Sequence, residues 1–317
     1  MKVTLNCNSS LFQKAAKLKR LRLLKGDVVA TAIKATVKGH IQELCANGAC
    51  PPHVAIVETA APGSASHVYV NQVERAFAQV GIESHRLYFD AAQASTADLV
   101  AVLRQLAHDD DVNGILLPAP LPKPLSLMAA QDALPPDKDI EGISSVNVGR
   151  LALGQPKSIP ATPLGGMEIL RHYGIAVEGR RAVVIGRSAV VGWPMATLLN
   201  QAGATVTICH SRTRDLPSVT READLLVSAA GRPGLVTAGM VRRGAVIVDF
   251  GVNMTEQGMC GDVDFEAVGP LVDAITPVPG GTGPVTAAVL VRNVVEAWLR
   301  QQARGKGQEA RVRGSAS

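Results

Sequence analysis

The chain has 317 residues, 47% of them hydrophobic and 19% charged, which is enough for two domains with buried cores and leaves no apolar run able to span a bilayer. Its net charge of +5 belongs to the ends: residues 1–25 carry seven cations and no acid, residues 300–317 are also basic, and the body between them is acidic. A nucleic-acid-binding face, which needs cations gathered on the folded surface, is therefore excluded. Residues 1–25 read as a basic N-terminal extension, and residues 301–317, polar and glycine-bearing, as a disordered tail. The five cysteines show neither C-x-x-C nor a zinc-type His spacing, so no metal site is expected and the thiols fit a reducing cytoplasm.

From the N-terminus, apolar residues at spacings of three and four (Leu11, Ala15, Leu18, then Val28, Ala32, Ile33, Val37, Ile41 and Leu44) predict helix over 11–48, stopped by Gly48 and Pro51–Pro52. His53–Glu58 is a short buried-type strand. After a small-residue loop, Ser64 or Ser66 caps a helix with Tyr69, Val73, Ala76, Phe77 and Val80 on one face, and Gly81 ends it. Strand 83–88, helix 96–106 and strand 113–117 follow, the last running into Pro118-Ala119-Pro120-Leu121-Pro122, which cannot be regular structure. This β-α-β-α-β rhythm is that of a parallel sheet covered by helices. A turn-rich acidic link, Pro135–Gly142, leads to a boundary between 145 and 160. The alternation then restarts with strand 182–185, helix 194–202, strand 205–208, a helix from about Leu216, and strands 225–229 and 245–249. The glycine-rich run Ile275–Pro284 closes this unit, and a last helix, Val285–Leu299, carries the stripe Ala288, Val291, Val295 and Leu299. The chain thus reads as a two-domain α/β protein, with residues 26–150 completed by the helix at 285–300, and residues 151–284 as the second domain.

Two turns in the second domain carry chemistry. Arg181–Pro194, R-A-V-V-I-G-R-S-A-V-V-G-W-P, joins a β-branched strand through Gly186 to a helix start. Turn N–H groups and the positive end of a helix make such a junction a site for phosphate. The strict G-x-G-x-x-G spacing is absent, so the same residues also fit a turn that needs glycine for its backbone alone. After the following strand, a dinucleotide fold that uses NAD places an acid on the ribose 2′-hydroxyl. Here Cys209-His210-Ser211-Arg212-Thr213 has no carboxylate but offers a hydroxyl and a guanidinium, with Arg187 as a second cation. Donors and positive charge suit a 2′-phosphate, hence NADP. His210, with no acid or nucleophile placed beside it, reads as structural or cofactor-adjacent.

Ten collinear stretches extend the pattern: A-S-H-V-Y-V (65–70), P-D-K-D-I-E-G (136–142), N-V-G-R-L (147–151), A-T-P-L-G (161–165), V-I-G-R-S-A-V-V-G-W-P-M (184–195), T-V-T-I-C-H-S-R-T (205–213), A-D-L-L-V (223–227), G-A-V-I-V-D-F-G-V-N (244–253), G-D-V-D-F (261–265) and T-P-V-P-G-G-T-G-P-V-T (276–286). On them the chain resembles the FolD-type bifunctional methylenetetrahydrofolate dehydrogenase/methenyltetrahydrofolate cyclohydrolase family over about residues 24–300. The resemblance implies a three-layer folate-side domain completed by the C-terminal helix, a Rossmann-type NADP-binding domain, an active site in the cleft between them, and a homodimer. Position by position, it implies Gly186, Arg187 and Ser188 as the phosphate and ribose turn. Ser211 falls to a 2′-phosphate contact, with Arg212 beside it, and Val252 to a backbone contact near the nicotinamide. Gly281 and Thr282 lie in the loop closing over that ring, Thr282 standing where valine or isoleucine is usual. Pro279 and Gly280 face the substrate, Tyr69 is the catalytic and pterin-stacking residue, and Glu141 holds the pterin edge.

The folate side departs from the family in three places. The family's Tyr-x-x-x-Lys puts a ring and an amine one helical turn apart, but Tyr69 is followed by Val73. The family's glutamine is Pro118 and its aspartate is Glu141, one methylene longer. Cyclohydrolysis needs a water activated and a proton moved at the methenyl carbon, and valine and proline do neither. Arg75 stands on another face of the helix and stays protonated. Hydride transfer asks chiefly for apposition of two carbons. The expected function is therefore an NADP-dependent 5,10-methylenetetrahydrofolate dehydrogenase with an impaired hydrolytic step. Its rivals are an NADP(H) oxidoreductase acting on a modified folate or another small cyclic amine, and a non-catalytic NADP-binding paralogue that heterodimerises or senses cofactor. Val73 also reads simply as part of the apolar stripe of its helix.

Overall fold

The structure, a computed structural model, describes residues 21–59, 61, 63–91, 93–256 and 258–315, with side chains described for all of these except Ala65 and residues 305–315. The helical reading of residues 11–20 and most of the basic N-terminal extension lie outside the described residues.

The first α/β unit is a three-stranded parallel sheet in the order β3-β2-β4, built from β2 (His53–Glu58), β3 (Glu83–Tyr88) and β4 (Gly114–Leu116). Val54, Ala55, Ile56 and Val57 of β2 are all fully buried, the mark of a strand covered on both faces. The covering helices are α1 (Gly26–Ala46), α2 (Ala65–Val80) and α3 (Thr96–Ala107). Ser64 caps α2 by accepting the His67 N–H, and Gly81 ends it in the left-handed region. A reciprocal capping box of Ser95 and Asp98 starts α3.

Three helices occupy the stretch between the sheets: α4 (Leu127–Ala133), α5 (Ser145–Ala152) and α6 (Ala161–His172). The second sheet is parallel with six strands, in the order β1 (Arg22–Leu23), β11 (Ala274–Ile275), β8 (Val246–Asp249), β7 (Leu225–Ser228), β5 (Arg181–Ile185) and β6 (Thr205–Cys209). Its central strands β5, β7 and β8 are the β-branched runs legible in the sequence, and β6 lies at one edge. Helices α7 (Gly192–Gln201), α8 (Leu216–Thr220) and α9 (Phe265–Val268) and an antiparallel hairpin, β9 (Asn253–Thr255) with β10 (Gly258–Cys260), complete it.

Three expectations need correction. The segment assigned to the N-terminal extension contributes β1 (Arg22–Leu23), which pairs with β11 (Ala274–Ile275) and so belongs to the distant second sheet. The last helix, α10 (Thr282–Ser315), starts three residues earlier than expected and continues through the segment read as a disordered tail. Its continuation has a physical cause: the Gln301 amide donates to the carbonyls of Asn113 and Asp137 at 2.8 and 3.2 Å, and Arg304 pairs with Asp137. One apolar cluster spans both units, with Val54, Ile56 and Val73, Val184, Val227 and Val248, and Val291, Val295 and Trp298 of α10 among its members.

Candidate functional site

Ligands of open parallel sheets bind outside the carboxyl ends of the strands, and the sequence-predicted residues fall at those ends in both units. In the second sheet, β5 and β6 run in register from Arg181 opposite Thr205 to Ile185 opposite Cys209, so the turns that follow them are neighbours. The Gly186 N–H donates to the Cys209 carbonyl at 2.9 Å. Gly186 has a φ of +130° and would drive a Cβ into the Ala229 carbonyl, which restricts the position to glycine. Ser188 accepts the Val191 and Gly192 N–H groups at 3.1 and 3.3 Å, supplying the side-chain cap that Val191, at the N-cap of α7, lacks. Val190 of the same turn packs against the apolar cluster of the first unit, which includes Leu117 at the end of β4.

The second turn is organised by His210. Its N–H donates to Thr213 Oγ1 at 2.9 Å, its carbonyl accepts the Thr213 N–H at 2.8 Å, and its ring Nδ1 accepts the Arg212 N–H at 3.1 Å. The histidine is thus a structural element of the turn, one of the two roles its isolation in the sequence suggested. Ser211, Arg212 and Arg187 are all exposed, and neither guanidinium has a side-chain partner among the described residues. Two uncompensated guanidiniums and a hydroxyl on adjacent turns, with no carboxylate between them, fit a 2′-phosphate.

The remaining cofactor-side residues lie on loops at the same edge. Val252, 61% exposed, lies in the short link between β8 and β9, directly before Asn253. Pro279 and Gly280 lead into Gly281 and the buried Thr282, which begins α10 and donates its hydroxyl to the Asp249 carbonyl at 3.1 Å. This loop is met from the other unit: the Gly26 N–H, at the start of α1, donates to the Gly280 carbonyl at 2.8 Å.

On the substrate side, Tyr69 lies in the first turns of α2, beyond the end of β2, and is half-buried. Burial first, and then the negative charge of Glu141, hold its hydroxyl pKa well above the ordinary value. Glu141 Oε2 accepts the Leu117 N–H at 3.3 Å, fixing the carboxyl at the end of β4. Burial pushes the Glu141 pKa up to about 8, the nearby Asp139 charge adding to the rise and the Leu117 N–H opposing it. The structure therefore brings Tyr69 and Glu141 together. Val73, one turn further along α2, is fully buried in the core with Val70 and Phe77, and Pro118 is buried beside Leu117. Neither adds a polar group.

Sequence reasoning missed the acids that hold these loops. Asp139 accepts the Ile143 and Ser144 N–H groups and the Asn147 amide, anchoring the start of α5. Asp249 and Asp262, 2% and 0% exposed, do the same for the second sheet. The available signal was their place in D-F-G and G-D-V-D, where an acid close to a glycine beside a strand end has backbone N–H groups to satisfy.

A family model described as tetrahydrofolate dehydrogenase/cyclohydrolase, catalytic domain, matches residues 24–141, and its NAD(P)-binding counterpart matches residues 160–302. The bifunctional protein FolD of Chloroflexus aurantiacus is 48% identical over 277 residues, covering 87% of this chain and 96% of the relative. That of Roseiflexus castenholzii is 47% identical over 289 residues, covering 90% and 99%. Among solved structures, the bifunctional FolD methylenetetrahydrofolate dehydrogenase/cyclohydrolase of Campylobacter jejuni superposes with a TM-score of 0.84 at 41% identity, covering 88% of this chain and 99% of its own. The Trypanosoma brucei enzyme, complexed with NADP cofactor and an inhibitor, gives 0.82 at 32% identity, covering 88% and 98%.

Proposed function

This chain belongs to the tetrahydrofolate dehydrogenase/cyclohydrolase family, and from that premise we propose that it is an NADP-dependent 5,10-methylenetetrahydrofolate dehydrogenase whose cyclohydrolase step is impaired. The observation that carries the cofactor choice is the pair of guanidiniums, Arg187 and Arg212, without side-chain partners among the described residues and accompanied by the Ser211 hydroxyl on adjacent turns. These three side chains hold the 2′-phosphate, Gly186 lets the backbone approach the pyrophosphate, and Val252, Gly281 and Thr282 flank the nicotinamide. NADP, when bound, supplies the hydride acceptor.

Tyr69 offers its ring to the pterin, while Glu141, with one oxygen taken by the Leu117 N–H, turns the rest of its protonated carboxyl to the polar edge of the ring. Pro279 and Gly280 border the substrate from the second unit. Positioning of this kind is what hydride transfer asks of a protein. Hydrolysis asks for more, and the fully buried Val73 and the buried Pro118 move no proton. Loss of general acid–base assistance costs about 10²–10⁴-fold. The reading extends to a homodimer in the cytoplasm, checked by light scattering and by fractionation of cells producing the protein.

The test is spectrophotometric. Purified protein given methylenetetrahydrofolate and NADP⁺ should form NADPH, while methenyltetrahydrofolate offered separately should hydrolyse little above the uncatalysed rate. Tight NADP binding without NADPH formation would overturn the dehydrogenase, and hydrolysis as fast as that of the Chloroflexus aurantiacus relative would overturn the hydrolytic defect.

A further inference from the structure

The carboxyl edge of the six-stranded sheet rests on two buried acids that the chemistry above does not use. Asp262 Oδ2 accepts the Ser228 hydroxyl at 3.0 Å and the Ala230 and Gly231 N–H groups at 2.7 and 3.1 Å. Its Oδ1 accepts the Arg232 N–H at 2.9 Å and the Asn253 side-chain amide at 3.0 Å. Asp249 Oδ1 accepts the N–H groups of Gly251 and Asp262 at 2.7 and 3.2 Å, and Oδ2 accepts that of Val263 at 2.9 Å. The Asp249 N–H is given to Thr276 Oγ1 at 2.7 Å, and its carbonyl receives the Thr282 hydroxyl.

The partners of these bonds are spread over separate loops, and each loop adjoins a residue of the cofactor side. Ala230 follows Ala229, whose carbonyl lies against Gly186 in the phosphate turn. Asn253 follows Val252, and Thr282 follows Gly281. Burying a carboxylate is costly unless its lone pairs are filled. Asp262 meets that condition with five donors, drawn from β7, the loop after it, and the start of the hairpin. A side chain used only to plug the interior would need no such spread of donors. Three of the five donors are backbone N–H groups, so the acid fixes main-chain positions and not merely packing.

We propose that Asp262, seconded by Asp249, is a positioning residue for the nucleotide site: it sets the relative placement of the phosphate turn and the loop carrying Val252 without touching the cofactor. The proposal rests on the NADP reading above. In Asp262→Asn one oxygen becomes an NH₂ group facing N–H donors, so the two loops must part while the bulk of the core is unchanged. NADPH affinity, read by fluorescence titration, should weaken about 10- to 100-fold, as expected for displaced binding groups. Turnover at saturating NADP⁺ should change far less, so the loss appears in the Kd and KM for cofactor and not in kcat. Asn253→Ala, which deletes a single donor, should shift the Kd in the same direction by a smaller factor. It carries the test should Asp262→Asn fail to fold by circular dichroism. Asp264→Asn, at the cap of the short helix α9, serves as the control and should leave the Kd unaltered. Wild-type protein that binds no NADPH would overturn the cofactor reading itself. Wild-type binding with unaltered affinity in both Asp262→Asn and Asn253→Ala, or an equal loss in Asp264→Asn, would overturn the positioning role alone.

Discussion

At residue scale, the folate side is defined by one exchange of character: an amine and an amide at Val73 and Pro118 would be polar, and both positions are instead buried and apolar. Val73 packs in the core with Val70, Phe77 and Val80. A lysine placed there alone would bring an unpaired ammonium into apolar surroundings, so Val73→Lys should lower the melting temperature markedly. Adding Pro118→Gln supplies a hydrogen-bond partner. The double variant should recover part of that stability and raise methenyltetrahydrofolate hydrolysis, with no gain in hydrolysis as the contrary result. Glu141 yields a prediction in pH. Its folded carboxyl keeps a proton up to about pH 8, against 4.5 for an ordinary glutamate, so the folded state binds more protons between those values. The stability it contributes is therefore complete below pH 4.5 and declines steadily to pH 8. Glu141→Gln, which cannot ionise, should gain melting temperature relative to the wild type as pH rises from 5 to 8. A difference that stays constant over that range would contradict the raised value.

Among the elements, those legible in the sequence are the ones whose own residues decide them. The runs Val54–Val57, Ala182–Ile185 and Val246–Val248 are buried on both faces and could only be central strands. Helix α2 announced itself by a serine cap, which the structure places at Ser64, and by Gly81. The misreadings share a cause of the opposite kind. β1 and β11 are two residues each, too short for any period to register, and they exist because each finds the other next to β8. The site followed the same division: glycines and guanidiniums in turns were readable, whereas the roles of Asp249 and Asp262 depend on hydrogen-bond partners more than 25 positions away, Thr276 accepting the Asp249 N–H and Ser228 donating to Asp262. The end of α10 belongs with the misreadings, since Gly305 and Gly307 weaken the helix locally while Gln301 and Arg304 tie it to the first unit. Deleting residues 301–317 should thus cost roughly 1–3 kcal/mol in urea unfolding, the worth of a few hydrogen bonds, and leave NADPH formation intact. Unchanged stability would mean that those bonds are not made in solution.

For the whole molecule, the decisive feature is that neither α/β unit completes its part of the site alone. Helix α10 packs on both α1 and α6, and Asn293 within it donates to the carbonyls of Ile140 and Ile159 at 2.8 and 3.1 Å, tying the link between the units to their common core. The loop Pro279–Gly281 belongs by sequence to the second unit, yet its position is set by Gly26 at the start of the first helix. A Cβ at Gly26 would run into the Gly281 carbonyl, and the Gly26 N–H already holds the neighbouring carbonyl of Gly280. Gly26→Ala must therefore push this loop away from α1, although the substituted residue lies about 250 positions away in sequence from the loop it moves. Alanine is the better helix former, so the helix itself loses nothing. The expected outcome is a fall in kcat/KM for NADPH formation of about 10-fold or more, the scale of loss caused by displacing positioning groups. Gly26 is buried and the clash is with backbone, so the melting temperature should fall as well, by several degrees. If kcat/KM instead stays at the wild-type level in a folded Gly26→Ala protein, the loop takes no part in the reaction, and the two units cooperate through their shared core without sharing a site.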